Sequence, residues 1–343
     1  MPTLTAEQMM EFLYGLPDQF ADSLEMTFDF AKDYRKPFQN MVISGLGGSA
    51  IGGDIVRTLA AGQAALPVVV NRDYNLPAYV NSNTLFVAVS YSGNTEETLS
   101  AYQQAREKEA AIVCLTSGGK LAQMADSDGY PVIRVPGNLV PRAATGYLFA
   151  PLALFLEEIG LIKNVRGGIE EAIQVLEEQR QMLTPEVSSP DNPARQLAEQ
   201  LKGCIPVIWG SSGLTEAAAL RWKAQINENA KSPAYYNLFP ELNHNEIVGF
   251  EVPEELLTRL AVVILRDQGD HPQVQKRMAI TRQIIENRVQ KVVEVSSQGQ
   301  SFLARFYSLV YLGDYTSVYL AHEYGINPTP VQVIDYLKAE LAK

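Results

Sequence analysis

Cysteine is almost missing from this chain: Cys114 and Cys204 are the only two in 343 residues. That scarcity excludes a disulfide-stapled scaffold. Each lies in an apolar run, Ile112-Val113-Cys114 and Gly203-Cys204-Ile205-Pro206, so both read as buried thiols of a chain kept in a reducing cytosol. Histidine is equally sparse. His244, His271 and His322 stand in unrelated contexts with no matching Cys or Asp spacing, so no metal site is expected. Positive charge is also short. Lys and Arg number 28 against 39 Asp and Glu, giving a net charge of −11 and a pI near 4.9. Neither nucleic acid nor an anionic membrane is an expected partner for such a surface. An anionic substrate would need a locally positive pocket. Long apolar runs are absent too, and nothing is long enough to span a bilayer. Met1-Pro2-Thr3-Leu4-Thr5 has no basic region followed by an apolar core, so no signal peptide is expected.

What is present suits a packed globular protein. Apolar residues make up 46% of the chain. The length fits two domains or one large α/β unit.

The most informative stretch is Leu85-Phe-Val-Ala-Val-Ser-Tyr-Ser-Gly-Asn-Thr-Glu-Glu-Thr98. An apolar β-run, Leu85 to Val89, turns abruptly into Ser90, Ser92, Gly93 and Thr95. A helical pattern follows through Leu99, Tyr102 and Ala105 to about Lys108. Strand, small-residue turn and helix start together make an anion site. Free N–H groups of the first helical turn point outward, and the helix dipole favours negative charge there. The turn therefore suits the phosphate of a small phosphorylated substrate. The same residues also fit a plain helix start, with Asn94 capping and Glu97 completing a capping box. No lysine lies in the turn, so it is not the lysine-bearing loop of nucleotide triphosphatases.

The rest of the chain repeats this grammar. Thr5-Ala-Glu-Gln8 is a capping-box start, and Met9, Phe12, Leu13, Leu16 and Phe20 follow at helical spacing with a break expected near Pro17. Met41 to Ile43 reads as a strand, Gly45, Gly47, Gly48 and Ser49 as a glycine-rich turn, and Ile51 to Leu59 as a helix. That turn matches a dinucleotide fingerprint only loosely, because no clear acidic ribose partner follows. Its physical meaning is close approach of backbone to something. Further strands are expected at Pro67–Asn71, Ala111–Gly119 and Gly129–Pro136. Alternating strand and helix predicts a parallel sheet flanked by helices, with ligands at the carboxyl ends of strands near a switch in strand order. Arg142, the one cation in the turn Asn138–Tyr147, reads either as a surface residue or as a pocket arginine facing negative charge. An apolar helix is expected from Leu148 to Leu156.

After a helical stretch from Val165 and the Pro- and Ser-rich Leu183–Pro193, the pattern restarts. Cys204 to Trp209 is a strand, Gly210 to Gly213 a turn, and Thr215 caps a helix carrying Trp222 and Ile226. Leu260–Asp267 and Lys291–Ser296 are further strands. The expectation is an internal duplication: two similar α/β domains, each with a mostly parallel sheet flanked by helices. Boundaries fall at 1–160, a connection at 161–195, and 196–343. The run Asn227–Glu246 is rich in Asn, aromatic and acidic residues and reads as a functional loop. Thr316–Tyr324 is helical with Gly325 as its stop. Thr329 caps and Pro330 opens a last helix, whose apolar stripe is Val331, Ile334, Leu337 and Leu341 with Lys338 beside it. His271 reads as a surface turn and His322 as structural.

Several stretches together resemble one family. Gly45-Leu-Gly-Gly-Ser49, Val89–Thr95, Pro141-Arg-Ala-Ala-Thr-Gly-Tyr147, Asn227-Glu-Asn-Ala-Lys231, Pro240–Gly249 and Ile334-Asp-Tyr-Leu-Lys338 are similar to the bifunctional phosphoglucose/phosphomannose isomerases. These are members of the phosphoglucose isomerase superfamily, built from two sugar-isomerase (SIS) domains. The Ser/Thr loop marks only a SIS domain; Pro240-Glu-Leu-Asn-His-Asn-Glu246 after Asn-Glu-Asn is far more specific. The resemblance implies reversible conversion of glucose 6-phosphate and mannose 6-phosphate to fructose 6-phosphate, by ring opening and a cis-enediol, with no metal or redox cofactor. It implies Glu228 as the carrier of the C1/C2 proton, His244 and Lys338 in ring opening, and Arg142 beside the enediolate. Gly47, Gly48, Ser49, Ser90, Ser92 and Thr95 would bind substrate. The C-terminal helix would return to the active site, and a homodimer is implied, with His244 reaching into the partner's site. A non-catalytic sugar-phosphate sensor and an amino-sugar phosphate enzyme are the alternatives. The absence of a basic patch counts against a transcriptional sensor, and nothing signals a glutamine-hydrolysing cysteine.

Overall fold

The computed structural model describes residues 5–341 and residue 343. The chain divides into two compact units. One, here the N-terminal unit, comprises Gly15–Leu176 and Gly299–Ala304. The other, the C-terminal unit, comprises the described residues up to Tyr14, Glu177–Gln298 and Arg305–Lys343.

The chain opens with α1 (Ala6–Tyr14), started by the expected box. Thr5 N donates to Gln8 Oε1 at 2.8 Å and Gln8 N to Thr5 Oγ1 at 3.4 Å. The break comes at Gly15, and Pro17 lies in the first turn of α2 (Leu16–Leu24), where its missing N–H costs no hydrogen bond.

The N-terminal unit then alternates β1 (Asn40–Ser44), α3 (Gly48–Ala61), β2 (Val68–Asn71), β3 (Thr84–Val89), α4 (Glu96–Glu107), β4 (Ala111–Thr116), α5 (Gly119–Asp128), β5 (Val132–Arg134) and α6 (Thr145–Glu158). The strands are parallel in the order β2-β1-β3-β4-β5, with Val42 beside Phe86 and Phe86 beside Ile112. Every residue of β1 and β3 is buried, which is why both read as unbroken apolar runs rather than as alternating patterns. One core packs Phe86, Tyr102, Ile112, Cys114 and Leu121. Cys114 is fully buried as expected, and burial pushes its thiol far above the ordinary range.

After α7 (Val165–Leu183), the C-terminal unit runs α8 (Pro193–Leu201), β6 (Ile205–Ser211), α9 (Glu216–Asn229), β7 (Tyr235–Phe239), α10 (Glu254–Leu257), β8 (Leu260–Arg266), α11 (Pro272–Ile285), β9 (Lys291–Ser296), α12 (Phe302–Glu323, counted with this unit from Arg305 on) and α13 (Gln332–Leu341). Its strands are parallel in the order β7-β6-β8-β9. That is the same permutation as β2-β1-β3-β4, so the duplication read from the two glycine turns is present in the folds of both sheets.

Several elements differ from expectation for identifiable reasons. Cys204 is half-buried, not buried: it precedes β6, in the turn after α8. The run Asn227–Glu246, read as a loop, holds a strand, β7, paired with β6; an edge strand with exposed Tyr235 and Tyr236 lacks an apolar signature in the sequence. α12 starts fourteen residues before Thr316, at Phe302. It is buried around most of its circumference, so no two-faced pattern marks it. Thr329 is not a cap; its hydroxyl donates to the Thr5 carbonyl at 2.8 Å, and α13 begins at Gln332. The apolar stripe of α13 is exposed at Ile334, Leu337 and Leu341. His271 is the N-cap of α11: its Nδ1 accepts from Gln273 N at 3.1 Å.

Candidate active site

In the N-terminal unit the carboxyl ends of β1 and β3 adjoin. From β1 the chain moves outward to β2, and from β3 it moves the other way to β4 and β5. The gap between β1 and β3 is therefore the switch point at which open α/β sheets bind ligands. Both glycine turns open there.

Gly47 has φ +53°, a left-handed conformation that glycine adopts without strain, and it delivers the chain into α3. α3 begins three residues earlier than its side-chain pattern suggests, at Gly48. Backbone contact explains the glycine: a methyl there would stand 2.9 Å from the Pro141 carbonyl oxygen. Ser49, in the first turn of α3, accepts a hydrogen bond from Tyr91 N at 3.3 Å, which stitches the first turn to the second.

In the second turn the buried Ser90 hydroxyl bonds the Thr95 hydroxyl at 2.8 Å. Thr95, not Asn94, occupies the N-cap position of α4. Asn94 instead uses Nδ2 on the Ser92 carbonyl at 3.0 Å and accepts from Lys120 N at 3.2 Å. The Asn94–Glu97 capping box is thus not formed. Gly93 has φ +67°, and a methyl there would lie 1.8 Å from the Gly118 carbonyl oxygen. The turn after β4 is a buttress for the Ser/Thr loop, with Leu121 N donating to Gly93 O at 2.9 Å. Ser92 is exposed at its rim.

Arg142 is buried, 5% exposed, in a short 3-10 turn formed by Pro141–Ala143. The surface reading of this arginine is excluded. Two neighbours fix its turn. Gly48 packs on it from one side. From α2, buried Gln19 donates to Ala143 O at 2.8 Å and accepts from Gly146 N at 3.1 Å. The turn that carries Arg142 thus lies against the start of α3, next to the first hydroxyl-bearing turn. Gly47, Gly48, Ser49, Ser90, Ser92, Thr95 and Arg142 are all gathered at this one edge. Gln19 and Tyr91 escape a sequence reading because a glutamine in a helix and a tyrosine in a turn carry no signal of their own.

The C-terminal unit repeats the turn but fills it. At the end of β6, Ser211 donates its hydroxyl to Asp270 at 2.5 Å, and Ser211 N donates to Thr215 Oγ1 at 2.8 Å. Gly213 N is taken by the Glu216 carboxylate at 3.2 Å. Asp267, next door, holds Arg305 Nε at 3.0 Å and the Ser297 hydroxyl at 2.7 Å. Burial pushes the Asp270 carboxyl above its ordinary value. Carboxylates of the chain itself occupy the place an anion would take, so the duplicated turns are not equivalent.

The other three candidates belong to the C-terminal unit. Glu228 is half-buried in the last turn of α9. Both neighbours are anchored: Asn227 Nδ2 donates to Ser232 O at 2.9 Å and Asn229 Nδ2 to Ser317 Oγ at 2.8 Å. Earlier in the same helix, Arg221 forks onto Asp314 of α12 at 2.7 and 3.0 Å, and Gln225 reaches the same carboxylate at 2.8 Å. Burial raises the Asp314 carboxyl, while Arg221 opposes that shift.

His244 ends a 3-10 turn after β7 and is exposed. The polar residues around it fold the loop. Asn243 Nδ2 bonds Thr281 Oγ1 at 2.8 Å, Asn245 Nδ2 bonds Glu241 at 2.8 Å, and Glu246 accepts from Trp209 Nε1 at 2.9 Å and from Asn237. With Leu242 and Phe250 buried as pins, the loop presents the imidazole outward. Lys338 is exposed on α13. His322, by contrast, packs edge-on to Tyr319 at 6.1 Å, as a structural ring does. Among the described residues no cluster of His, Cys, Asp and Glu could hold a metal ion.

Residues 39–130 match the SIS domain family, and residues 190–341 match the bacterial phospho-glucose isomerase C-terminal SIS domain. A bifunctional phosphoglucose/phosphomannose isomerase of Caldicellulosiruptor bescii is 49% identical over 336 residues, covering 98% of this chain and 99% of that protein. One from Aquifex aeolicus is 36% identical, covering 97% and 99%. Among solved structures, a hypothetical protein from Thermus thermophilus superposes with a TM-score of 0.74 at 16% identity, over 97% of this chain and 90% of its own. Tagatose-6-phosphate ketose/aldose isomerase from Escherichia coli gives 0.68 at 16% identity, over 96% of each chain; both likenesses show the fold. With near-full-length identity to the first two and an SIS fold in each half, the chain belongs to the bifunctional phosphoglucose/phosphomannose isomerase family.

Proposed function

We propose that this protein interconverts glucose 6-phosphate and mannose 6-phosphate with fructose 6-phosphate. The observation that carries the reading is the hydroxyl cradle at the β1/β3 switch, set against its carboxylate-filled counterpart at β6/β8.

The phosphate sits against Ser49, Ser90, Ser92 and Thr95, with the backbone of Gly47 and Gly48 close enough to follow the substrate. Hydroxyls and helix-start N–H groups hold a dianion without adding bulk. Ring opening takes a proton from the C1 hydroxyl and returns one to the ring oxygen. His244 and Lys338 serve these two positions as general acid and base. Glu228 then removes the proton from C2 and delivers it to C1, or the reverse. The intermediate is a cis-enediol, formed through its enediolate anion, whose negative charge Arg142 stabilises. Mannose 6-phosphate follows if the enediol turns about its C2–C3 bond, so that Glu228 meets the other face. The step moves protons within one molecule, so no redox partner enters the balance.

A homodimer supports this chemistry, with His244 contributed across the interface. The outward imidazole and the exposed Val248, Val252 and Leu256 close by in sequence favour a surface that a second copy covers. Among the described residues no helix is long and apolar enough to cross a membrane. Two free thiols suit the cytoplasm.

Supplying glucose 6-phosphate and mannose 6-phosphate separately, and analysing products by NMR, tests the proposal. Fructose 6-phosphate from each is expected. Its absence from both at micromolar enzyme would overturn the reading.

A further inference from the structure

The end of α9 carries a lysine where a helix usually places glycine. Lys231 has φ +54°, directly after the C-cap residue Ala230. Glycine or asparagine normally takes this left-handed position, because a Cβ is disfavoured there. A lysine held in that conformation suggests that its side chain has a use.

Its ammonium group bridges two carbonyls within the C-terminal unit. It donates to the Glu228 carbonyl, and to the Pro328 carbonyl at 2.9 Å. The Glu228 carbonyl belongs to the last turn of α9, whose C=O groups lack intrahelical donors and carry the negative end of the helix dipole. The Pro328 carbonyl lies in the segment between α12 and α13. The same segment is held at Thr329, whose N–H bonds Asn327 Oδ1 at 3.0 Å and whose hydroxyl bonds Thr5 O at 2.8 Å. α13 follows, and none of its described residues is buried. With none of its described side chains buried, the position of that helix depends on how the preceding segment is anchored.

We infer that Lys231 is a positioning residue that ties the helix end bearing Glu228 to the segment that places Lys338. The inference rests on the proposed function for the roles of Glu228 and Lys338. The contact itself does not depend on it. One cation thus sets the spacing between the group that moves the carbon-bound proton and a group that opens the ring. Loss of the tie loosens both elements while leaving the N-terminal unit's phosphate contacts untouched. The expected signature is a fall in kcat with KM nearly unchanged.

Three variants test this. Lys231→Met removes the charge and keeps the length. Lys231→Gly suits the left-handed backbone and removes the side chain. Lys231→Arg keeps a cation able to bridge two carbonyls. For both sugar phosphates, the Met and Gly variants should lose about tenfold or more in kcat with KM within about twofold, as small misplacements of reacting groups do. Lys231→Arg should recover to within about threefold of wild type, because a guanidinium also offers donors for both carbonyls. Since Lys231 is exposed, thermal midpoints should move by no more than about 2 °C. Amide hydrogen exchange across residues 327–334 should speed up in the Met and Gly variants and not in the Arg variant. Wild-type kcat in Lys231→Met, or a kcat loss in Lys231→Gly that Lys231→Arg shares in full, would overturn the inference. So would unchanged exchange at 327–334 in both neutral variants. If the wild-type chain isomerises neither sugar but exchange still rises, the functional reading fails and the tie stands.

Discussion

Gly48 and Arg142 are in contact through bare backbone: a methyl on Gly48 would lie 2.9 Å from the Pro141 carbonyl oxygen and 3.4 Å from the Arg142 Cα. The turn that carries the guanidinium is seated on the start of α3. Gly48→Ala should push that turn away and leave the phosphate hydroxyls in place. If Arg142 stabilises the enediolate as proposed, the expected result is a kcat about 10- to 100-fold lower with a smaller change in KM, since misplacing an electrostatic stabiliser acts on the transition state. Steady-state kinetics on each sugar phosphate checks it.

Ser90 and Thr95 share a hydroxyl–hydroxyl bond of 2.8 Å at the mouth of α4. On the proposed function, Ser90→Ala removes a donor to the phosphate, and it takes away the hydroxyl that Thr95 bonds. Hydrogen bonds to charged groups contribute about 1.5–3 kcal/mol, so affinity for the sugar phosphate should fall about 10- to 100-fold. Isothermal titration with an unreactive hexitol 6-phosphate measures this apart from turnover.

Arg221 and Asp314 form a buried fork between α9 and α12, with side chains 3% and 1% exposed. Arg221→Met would strand a buried carboxylate. Breaking such a pair on one side costs about 3–5 kcal/mol. Chemical denaturation should show that loss, and the Glu228 helix end should lose protection in hydrogen exchange.

Asp128 accepts from the Tyr102 hydroxyl at 2.7 Å and from Arg106 at 2.9 and 3.1 Å. The tyrosine hydrogen bond and the guanidinium hold its carboxyl below its ordinary value of 3.8. A depressed folded-state value means the unfolded chain binds more protons in that interval. The stabilisation is therefore complete above the ordinary value and is lost as pH falls through the folded one. Asp128→Asn should melt below wild type at pH 7, and the gap should close in the acid range below pH 3.8.

Much of this was legible in residues, and the rest had physical reasons for being hidden. β1 and β3 announce themselves because strands buried on both faces are continuous apolar runs. Their turns are visible because close backbone approach demands glycine, as at Gly48 and Gly93. The family motif at Pro240–Gly249 singles out His244, yet its neighbours Asn243, Asn245 and Glu246 work on the loop's own fold. β7 was hidden because an exposed edge strand alternates weakly, and most of α12 because a helix buried nearly all round has no polar face. Gln19 and Lys231 act through backbone groups far away in sequence, Ala143 and Gly146 for one and Pro328 for the other. No local pattern reports such partners.

Everything in the functional account turns on Glu228 carrying a proton between neighbouring carbons of an anchored sugar. Fructose 6-phosphate incubated in heavy water with wild-type protein should return aldose phosphates bearing deuterium at C2. Under the same conditions Glu228→Gln should incorporate about 10²- to 10⁴-fold more slowly, as loss of a general base requires, while still binding the phosphate sugar. Deuterium entering C2 at the wild-type rate in Glu228→Gln would contradict the account.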